Sequence, residues 1–373
     1  MKLILVAGAR PNFMKIAPLV RAIKRHNEII DHNDIRIDFL LVHTGQHYDI
    51  QMSEVFFRDL GLPKPDINLE VGSASHAAQT AKIMTGFEEV CLAEKPDWTV
   101  VVGDVNSTMA CTLVAAKLGI KVAHVEAGLR SFDRSMPEEI NRLVTDALAD
   151  LLLTPSVDAD ENLIREGIPR EKIQRVGNVM IDTLIDNLDQ ARQMRATERF
   201  GLKNHNYVFV TLHRPSNVDN EKSLTTIMGT LSDLSNTMDV IFPVHPRTRK
   251  QLATFGILDK AKQSPRLIIT DPMNYLDTIC LVEKARFVIT DSGGLQEETT
   301  YLKIPCLTVR PNTERPITIS HGSNKLTSFE TIKSDIDQIL LNGHSRQCTI
   351  PDLWDGNTGK RIISELIHFQ ANK

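Results

Sequence analysis

Two hydrophobic rhythms alternate along this chain. Short unbroken apolar runs read as strands buried on both faces, and stretches with apolar residues every three or four positions read as helices packed against them. Residues 2–7 are the first run; Gly8-Ala9-Arg10-Pro11-Asn12 reads as a turn, and residues 13–25 as a helix with Phe13, Ile16, Val20 and Ile23 on one face. Strands are expected at 36–42, 98–102, 121–125, 151–154 and 173–176. Helices are expected at 51–60, 76–91 and 110–118, from Pro137 onward, and around Asp160 and Met180. A long charged helical stretch follows, and Lys203-Asn-His-Asn206 then interrupts the alternation, the strongest boundary signal in the composition.

The alternation restarts with strands at 207–212, 240–244, 266–270, 286–290 and 304–309, and helices at 220–235, through Leu281 and at 295–302. Beyond Pro316 the pattern weakens until an amphipathic helix at 358–369. Repeated strand–helix units of this kind predict an α/β chain with two Rossmann-like, doubly wound, mostly parallel sheets. Open sheets of this type bind ligands outside the carboxyl ends of their strands. A ligand is therefore expected in a cleft between two such halves.

Chemistry-bearing residues cluster at those strand ends. Arg10 and Lys15 flank a helix start, where free N–H groups and cations favour an anion. The strand at 36–42 runs into His43-Thr-Gly-Gln46-His47; the two histidines are four apart but lack a glutamate at a zinc-type offset, and Gln46 and His47 suit contacts to a sugar. Asp104 follows Gly103 at a strand end, and Asn106 or Ser107 can cap the next helix, leaving Asp104 free. Glu126 emerges at the end of the 121–125 run. Pro137 suits a first helical position, Glu138 and Glu139 fall in the first turn, and Glu138 and Arg142 sit at i and i+4 on one face.

The second half delivers His213 and His245 after strands. It also runs Asp291-Ser292-Gly293-Gly294 straight into a helix, a phosphate cradle by mechanism though neither a P-loop nor a G-x-G-x-x-G spacing. Glu298, one turn on, can accept ribose hydroxyls.

Composition narrows the partners. A chain of 373 residues with net charge -4 gives no general field for nucleic acid or a membrane surface. Five cysteines, an odd number with no C-x-x-C, read as buried thiols, and no stretch reaches signal-peptide or transmembrane length, so a cytoplasmic location is expected. There is no nicotinamide fingerprint, Walker lysine or metal triad. A nucleotide held by one domain, facing several acids from the other, suits proton transfer at a carbon of a nucleotide-bound sugar.

With these residues in hand, the chain resembles the non-hydrolysing UDP-N-acetylglucosamine 2-epimerases. The likeness runs through Gly8-Ala-Arg-Pro-Asn-Phe-Met-Lys15, Thr44-Gly-Gln-His47, His124-Val-Glu-Ala-Gly-Leu-Arg130, Pro137-Glu-Glu-Ile-Asn-Arg142, His213-Arg214, Val244-His-Pro246, Asp291-Ser-Gly-Gly-Leu-Gln-Glu-Glu298 and Thr313-Glu-Arg-Pro316. The resemblance implies a GT-B-type pair of domains: residues 1–177 with a crossover helix at 356–373, and a UDP-binding domain at 178–355. It also implies a homodimer and no cofactor or metal. The reaction expected is interconversion of UDP-GlcNAc and UDP-ManNAc through 2-acetamidoglucal, supplying ManNAc-type sugars for cell-surface polysaccharides.

By the same resemblance, Asp104, Glu126 and Glu138 transfer protons and His213 acts near the diphosphate. Arg10, Lys15, Gln46, His47, Arg142, His245, Ser292, Gly293, Gly294, Glu298 and Arg315 bind substrate. Two departures stand out. His213-Arg-Pro-Ser-Asn217 replaces His-Arg-Arg-Glu-Asn, which places a second, activating UDP-GlcNAc site outside what the resemblance implies. Gly-Ala-Arg-Pro-Asn replaces Gly-Thr-Arg-Pro-Glu, which admits a related diacetamido sugar or uronic acid. A glycosyltransferase of the same architecture leaves the extra acids underused. A silent sugar-nucleotide sensor predicts a neutral residue at one of the three acid positions, and none is found.

Overall fold

In a computed structural model of the chain, describing residues 1–31, 34–46, 57, 60–342 and 348–371, the apolar runs become two fully parallel sheets. The first contains β1 (Lys2–Ala7), β2 (Asp38–His43), β3 (Ile67–Asn68), β4 (Trp98–Val102), β5 (Lys121–Val125), β6 (Leu151–Thr154) and β7 (Ile173–Arg175), in the order β3-β2-β1-β4-β5-β6-β7. The second contains β8 (Tyr207–Thr211), β9 (Asp239–Pro243), β10 (Leu267–Thr270), β11 (Phe287–Thr290), β12 (Cys306–Val309) and β13 (Asn324–Thr327), in the order β10-β9-β8-β11-β12-β13. Both are doubly wound, as the hydrophobic pattern predicts. In each, strand order reverses beside the first strand: between β1 and β4, and between β8 and β11. The chain ends splay apart at such a switch point and leave a crevice for a ligand.

Side chains alternate across both sheets with the period of two that a strand imposes. Leu3 and Leu5 of β1 enter one core with Phe13, Val20 and Trp98, while Ile4 and Val6 enter another with Phe87 and Val101. In the second sheet Val208 and Val210 face one core, and Tyr207 and Phe209 the other.

The chain divides into one unit of Met1–Thr183 with Asp352–Lys373 and another of Leu184–Pro351. The polar break at 203–206 lies inside the second unit; the division falls within the helix Val179–Gln193, an amphipathic rod that carries no compositional signal. The terminal helix Thr358–Ala371 belongs to the first unit, where Ile362, Ile363 and Leu366 join the core of β1 and β4. Each such side chain contributes about 1.5–3 kcal/mol on burial. That helix packs on Arg10–Ile29, whose Pro18 cannot donate to the Met14 carbonyl one turn back. Thr183 Oγ1 donates to that carbonyl instead, at 2.6 Å. Gly359 lies against the Pro18 backbone so closely that a Cβ would stand 2.7 Å from its oxygen.

The helix Arg10–Ile29 starts earlier than the turn reading of Gly8 to Asn12 allowed, because Asn12 Oδ1 reaches back to the Gly8 and Ala9 N–H groups, at 3.1 and 2.8 Å. The expected helix at 51–60 lies outside the described residues except for Phe57 and Leu60. No helix among the described residues is long and apolar enough to cross a membrane.

Candidate active site

In the first unit the switch point gathers acids. β4 ends at Gly103 (φ 68°), where a Cβ would sit 2.8 Å from Lys15 Nζ, so only glycine lets that ammonium close in. Asp104 follows and pairs with Arg142 Nη1. β5 ends at Glu126, held in the left-handed region (φ 70°), a strain of order 1 kcal/mol that a non-glycine residue keeps only where its surroundings enforce it. The N–H groups of Glu126 and Ala127 both donate to the Leu153 carbonyl, which enforces the turn. The Glu126 side chain is buried; its Oε2 meets Lys15 Nζ at 2.5 Å and its Oε1 has no hydrogen-bond partner among the described residues. A buried carboxylate with one oxygen unmatched is poised to take a proton or a donor from a ligand.

The helix Pro137–Leu148 corrects one expectation. Arg142 does not pair with Glu138 but with Glu139, at 2.6 Å, and with Asp104. Glu139, which the sequence reading passed over, is buried and accepts from Ser131 N (2.9 Å), Ser131 Oγ (3.0 Å) and Phe132 N (2.9 Å). Burial alone raises its pKa, but the Ser131 N–H and the Arg142 guanidinium outweigh that and hold it below the usual carboxylate range. Glu139 is therefore a fixed strut that aims Arg142 at Asp104. Glu138 is half-buried and has no ion-pair partner among the described residues. Arg10 opens the helix Arg10–Ile29, half-buried.

Gln46 is buried, and its Oε1 accepts from Ser107 N (3.1 Å) and Ser107 Oγ (2.7 Å). The helix Asn106–Lys117 is thus capped from β2's loop, not by Asn106 or Ser107 themselves. His43 is the last residue of β2, where burial lowers its pKa and Nδ1 lies 3.0 Å from the Ala7 carbonyl. His47 lies outside the described residues.

In the second unit Asp291 is fully buried after β11 and organises the loop after β8. It accepts from Arg214 N (2.9 Å), His213 N (3.0 Å) and Asn217 Nδ2 (3.0 Å), and lies 3.0 Å from His213 Nδ1. Burial raises its pKa, and the His213 ring and these N–H groups bring it below the ordinary value. His213 is thereby oriented by Nδ1 while the ring stays partly exposed, at 42% of the side chain. The His245 ring stands 5.7 Å away, centroid to centroid, and its Nδ1 accepts from Arg247 N, capping its own helix. Its pKa is lowered by burial first, then by His213 and Arg247.

Ser292 precedes the helix Gly293–Leu302 without a side-chain cap, so its first N–H groups are open to an anion. A Cβ on Gly293 would meet Arg315 Nη1 at 2.7 Å. Arg315 is buried against Glu297 (2.8 Å) and Glu314, and Glu314 also pairs with Arg310 at 2.7 Å. Two cations and two carboxylates balance there, so Arg315 supplies hydrogen-bond geometry more than net charge. Glu298 accepts from the Tyr275 hydroxyl at 2.9 Å. Burial pushes its pKa up to about 8, against the lowering by Tyr275, with Glu297 adding to the rise. Tyr275 is a second residue the sequence reading passed over; its only signal was an aromatic at the first position of the helix Tyr275–Glu283, just after Asn274.

Comparison with known proteins places these features in a family. The family profile described as UDP-N-acetylglucosamine 2-epimerase matches residues 29–367. A UDP-N-acetylglucosamine 2-epimerase of Methanocaldococcus jannaschii is 42% identical, with 99% of each chain covered. A UDP-2,3-diacetamido-2,3-dideoxy-D-glucuronate 2-epimerase of Pseudomonas aeruginosa is 39% identical over 87% of this chain and 88% of its own. The crystal structure of the M. jannaschii enzyme in complex with UDP-GlcNAc and UDP superposes with a TM-score of 0.87 at 40% identity, covering 99% of this chain and 100% of that one. The chain belongs to the UDP-N-acetylglucosamine 2-epimerase family.

Proposed function

We propose that this protein interconverts UDP-GlcNAc and UDP-ManNAc without an added cofactor. The observation that carries the reading is the buried Glu126 carboxylate, salt-bridged through one oxygen to Lys15 and unmatched at the other among the described residues, in the same unit as Asp104 and Glu138. The C2–H of the sugar is not acidic. An acid in carboxylate form removes that proton as the C1–O bond breaks; the electron pair of C2–H forms the C1=C2 bond, and that of C1–O leaves on the diphosphate. UDP and 2-acetamidoglucal result. UDP then re-adds at C1 while a second acid delivers a proton to C2 from the opposite face.

His213, together with the N–H groups of Gly293 and Gly294 at the uncapped helix start and the Ser292 hydroxyl, stabilises the departing diphosphate, with Arg10, Lys15 and Arg142 as cations near the reacting end; the Ser292 N–H itself donates to Thr290 Oγ1 at 3.0 Å. Glu298 engages the ribose, Arg315 holds the Gly293 turn, and Gln46 and His245 are further contacts to the substrate; His47, the remaining binding candidate of the sequence, lies outside the described residues. The deciding assay is purified protein with UDP-GlcNAc and no nicotinamide, followed by anion-exchange separation of products. UDP-ManNAc supports the reading, and an unchanged substrate refutes it.

A second reading, epimerisation of a UDP-diacetamido uronic acid, is favoured by the Pseudomonas aeruginosa relative. Faster turnover of that substrate than of UDP-GlcNAc establishes it. We further propose a homodimer, supported by Phe132, Ile140, Leu148, Val157 and Ile164, large apolar side chains exposed on one stretch of the first unit. A cytoplasmic location suits a chain with no disulfide among its described residues.

A further inference from the structure

The family-like stretch from His124 to Arg130 contributes more than Glu126. His124 lies in β5 and is fully buried. Its Nδ1 is 2.6 Å from Asp146 Oδ1 and its Nε2 is 2.8 Å from the Gly103 carbonyl. Both neighbours are acceptors, so both contacts are complete only with a proton on each ring nitrogen. Asp146 Oδ2 accepts from Gly128 N at 3.0 Å and pairs with Arg130 Nη1 at 2.7 Å. Arg130 in turn forks onto Glu166, at 2.8 and 2.6 Å. Burial raises the Asp146 pKa, and His124 and Arg130 outweigh it, so the carboxylate stays ionised inside the fold.

These contacts converge on three places. Gly103 immediately precedes Asp104. Gly128 closes the turn that begins at Glu126, and a Cβ there would stand 2.4 Å from the Ala159 carbonyl, so the turn has no slack. Asp146 rides on the helix Pro137–Leu148, whose first turn carries Glu138. One buried carboxylate thus joins the three elements that bear the three acids.

We infer that His124 and Asp146 are positioning residues that fix Asp104, Glu126 and Glu138 relative to one another through the backbone of Gly103 and Gly128. The inference rests on the epimerase reading for its kinetic consequence but not for its structural one. A misplacement on the scale of an ångström costs about 100-fold in a chemical step while leaving nucleotide binding alone.

Two variants separate the arms of the brace. Asparagine places its amide nitrogen where Nδ1 stood and keeps Asp146; glutamine places it where Nε2 stood and keeps Gly103. Hydrogen exchange and steady-state kinetics with UDP-GlcNAc are measured on the full-length wild type, His124→Asn and His124→Gln. In His124→Asn, exchange at residues 103–105 is expected to rise about tenfold, the scale of one lost hydrogen bond. Its kcat is expected to fall about 100-fold with KM nearly unchanged.

In His124→Gln the faster exchange moves to residues 127–129 and kcat is partly restored. Peptides at 290–298 stay as in the wild type in both. Unaltered exchange at both turns overturns the inference, as does a kcat in His124→Asn close to wild type. Should His124→Asn not fold, the displaced exchange of His124→Gln alone decides. If the wild type does not turn over UDP-GlcNAc, the substrate reading fails while the exchange data still decide the brace.

Discussion

Glu126 combines four features in a single residue: left-handed backbone, burial, one oxygen on Lys15 and one unmatched among the described residues. Glu126→Gln keeps the shape and removes the charge. It is expected to lower kcat by about 10²–10⁴-fold, the usual weight of a positioned acid or base. UDP affinity by calorimetry should change far less than kcat, since most of the proposed nucleotide contacts belong to the second unit and Lys15 keeps its charge. A kcat near wild type refutes a proton-transfer role.

Glu298 makes a second prediction, in pH. Its folded pKa of about 8 exceeds the ordinary 4.5, so the folded chain holds a proton that the unfolded chain releases. Stability therefore falls as pH rises from about 4.5 to about 8, and Glu298→Gln removes that slope. Thermal melts at both ends of the window read it; parallel curves for wild type and variant contradict it. Which glutamate faces inward was not legible in the sequence. Glu138 and Glu139 are one residue apart, about 100° around a helix, and the entry of the chain at Met136, not composition, turns Glu139 toward Arg142.

Whole elements were legible where apolar periodicity was strong. β4 and β6 fall on their expected bounds, and the carboxyl ends of β5, β8 and β11 were readable because buried parallel strands are nearly all apolar. β13 and the helix Ile332–Asn342 were not, since Asn324-Lys-Leu-Thr327 mixes polar residues into an edge strand and β3 has only two residues. Helix starts set by distant partners were equally hidden: Gln46 caps Asn106–Lys117 across sixty-one positions of sequence.

The partnership of Thr183 with Pro18's helix is of the same kind and is testable. Thr183→Val leaves the Met14 carbonyl without this donor and is expected to cost about 1–3 kcal/mol. A urea midpoint equal to wild type contradicts it.

At the scale of the molecule, two doubly wound sheets each offer a switch point, and the acids and the phosphate-type cradle fall one to each. That partition followed from the order of motifs along the chain, whereas the place where one unit gives way to the next lies inside a helix and left no mark in composition. A homodimer predicts a light-scattering mass of twice 41.8 kDa, and a monomeric mass removes the role proposed for the exposed apolar stretch.

In the proposed reaction a proton leaves C2 and returns with UDP bound. Proton NMR of the wild type with UDP-GlcNAc in D2O tests it most directly. The expected result is loss of the C2 proton signal by deuterium exchange as UDP-ManNAc appears. UDP-ManNAc formed with its C2 proton retained, or a substrate that never exchanges, contradicts it.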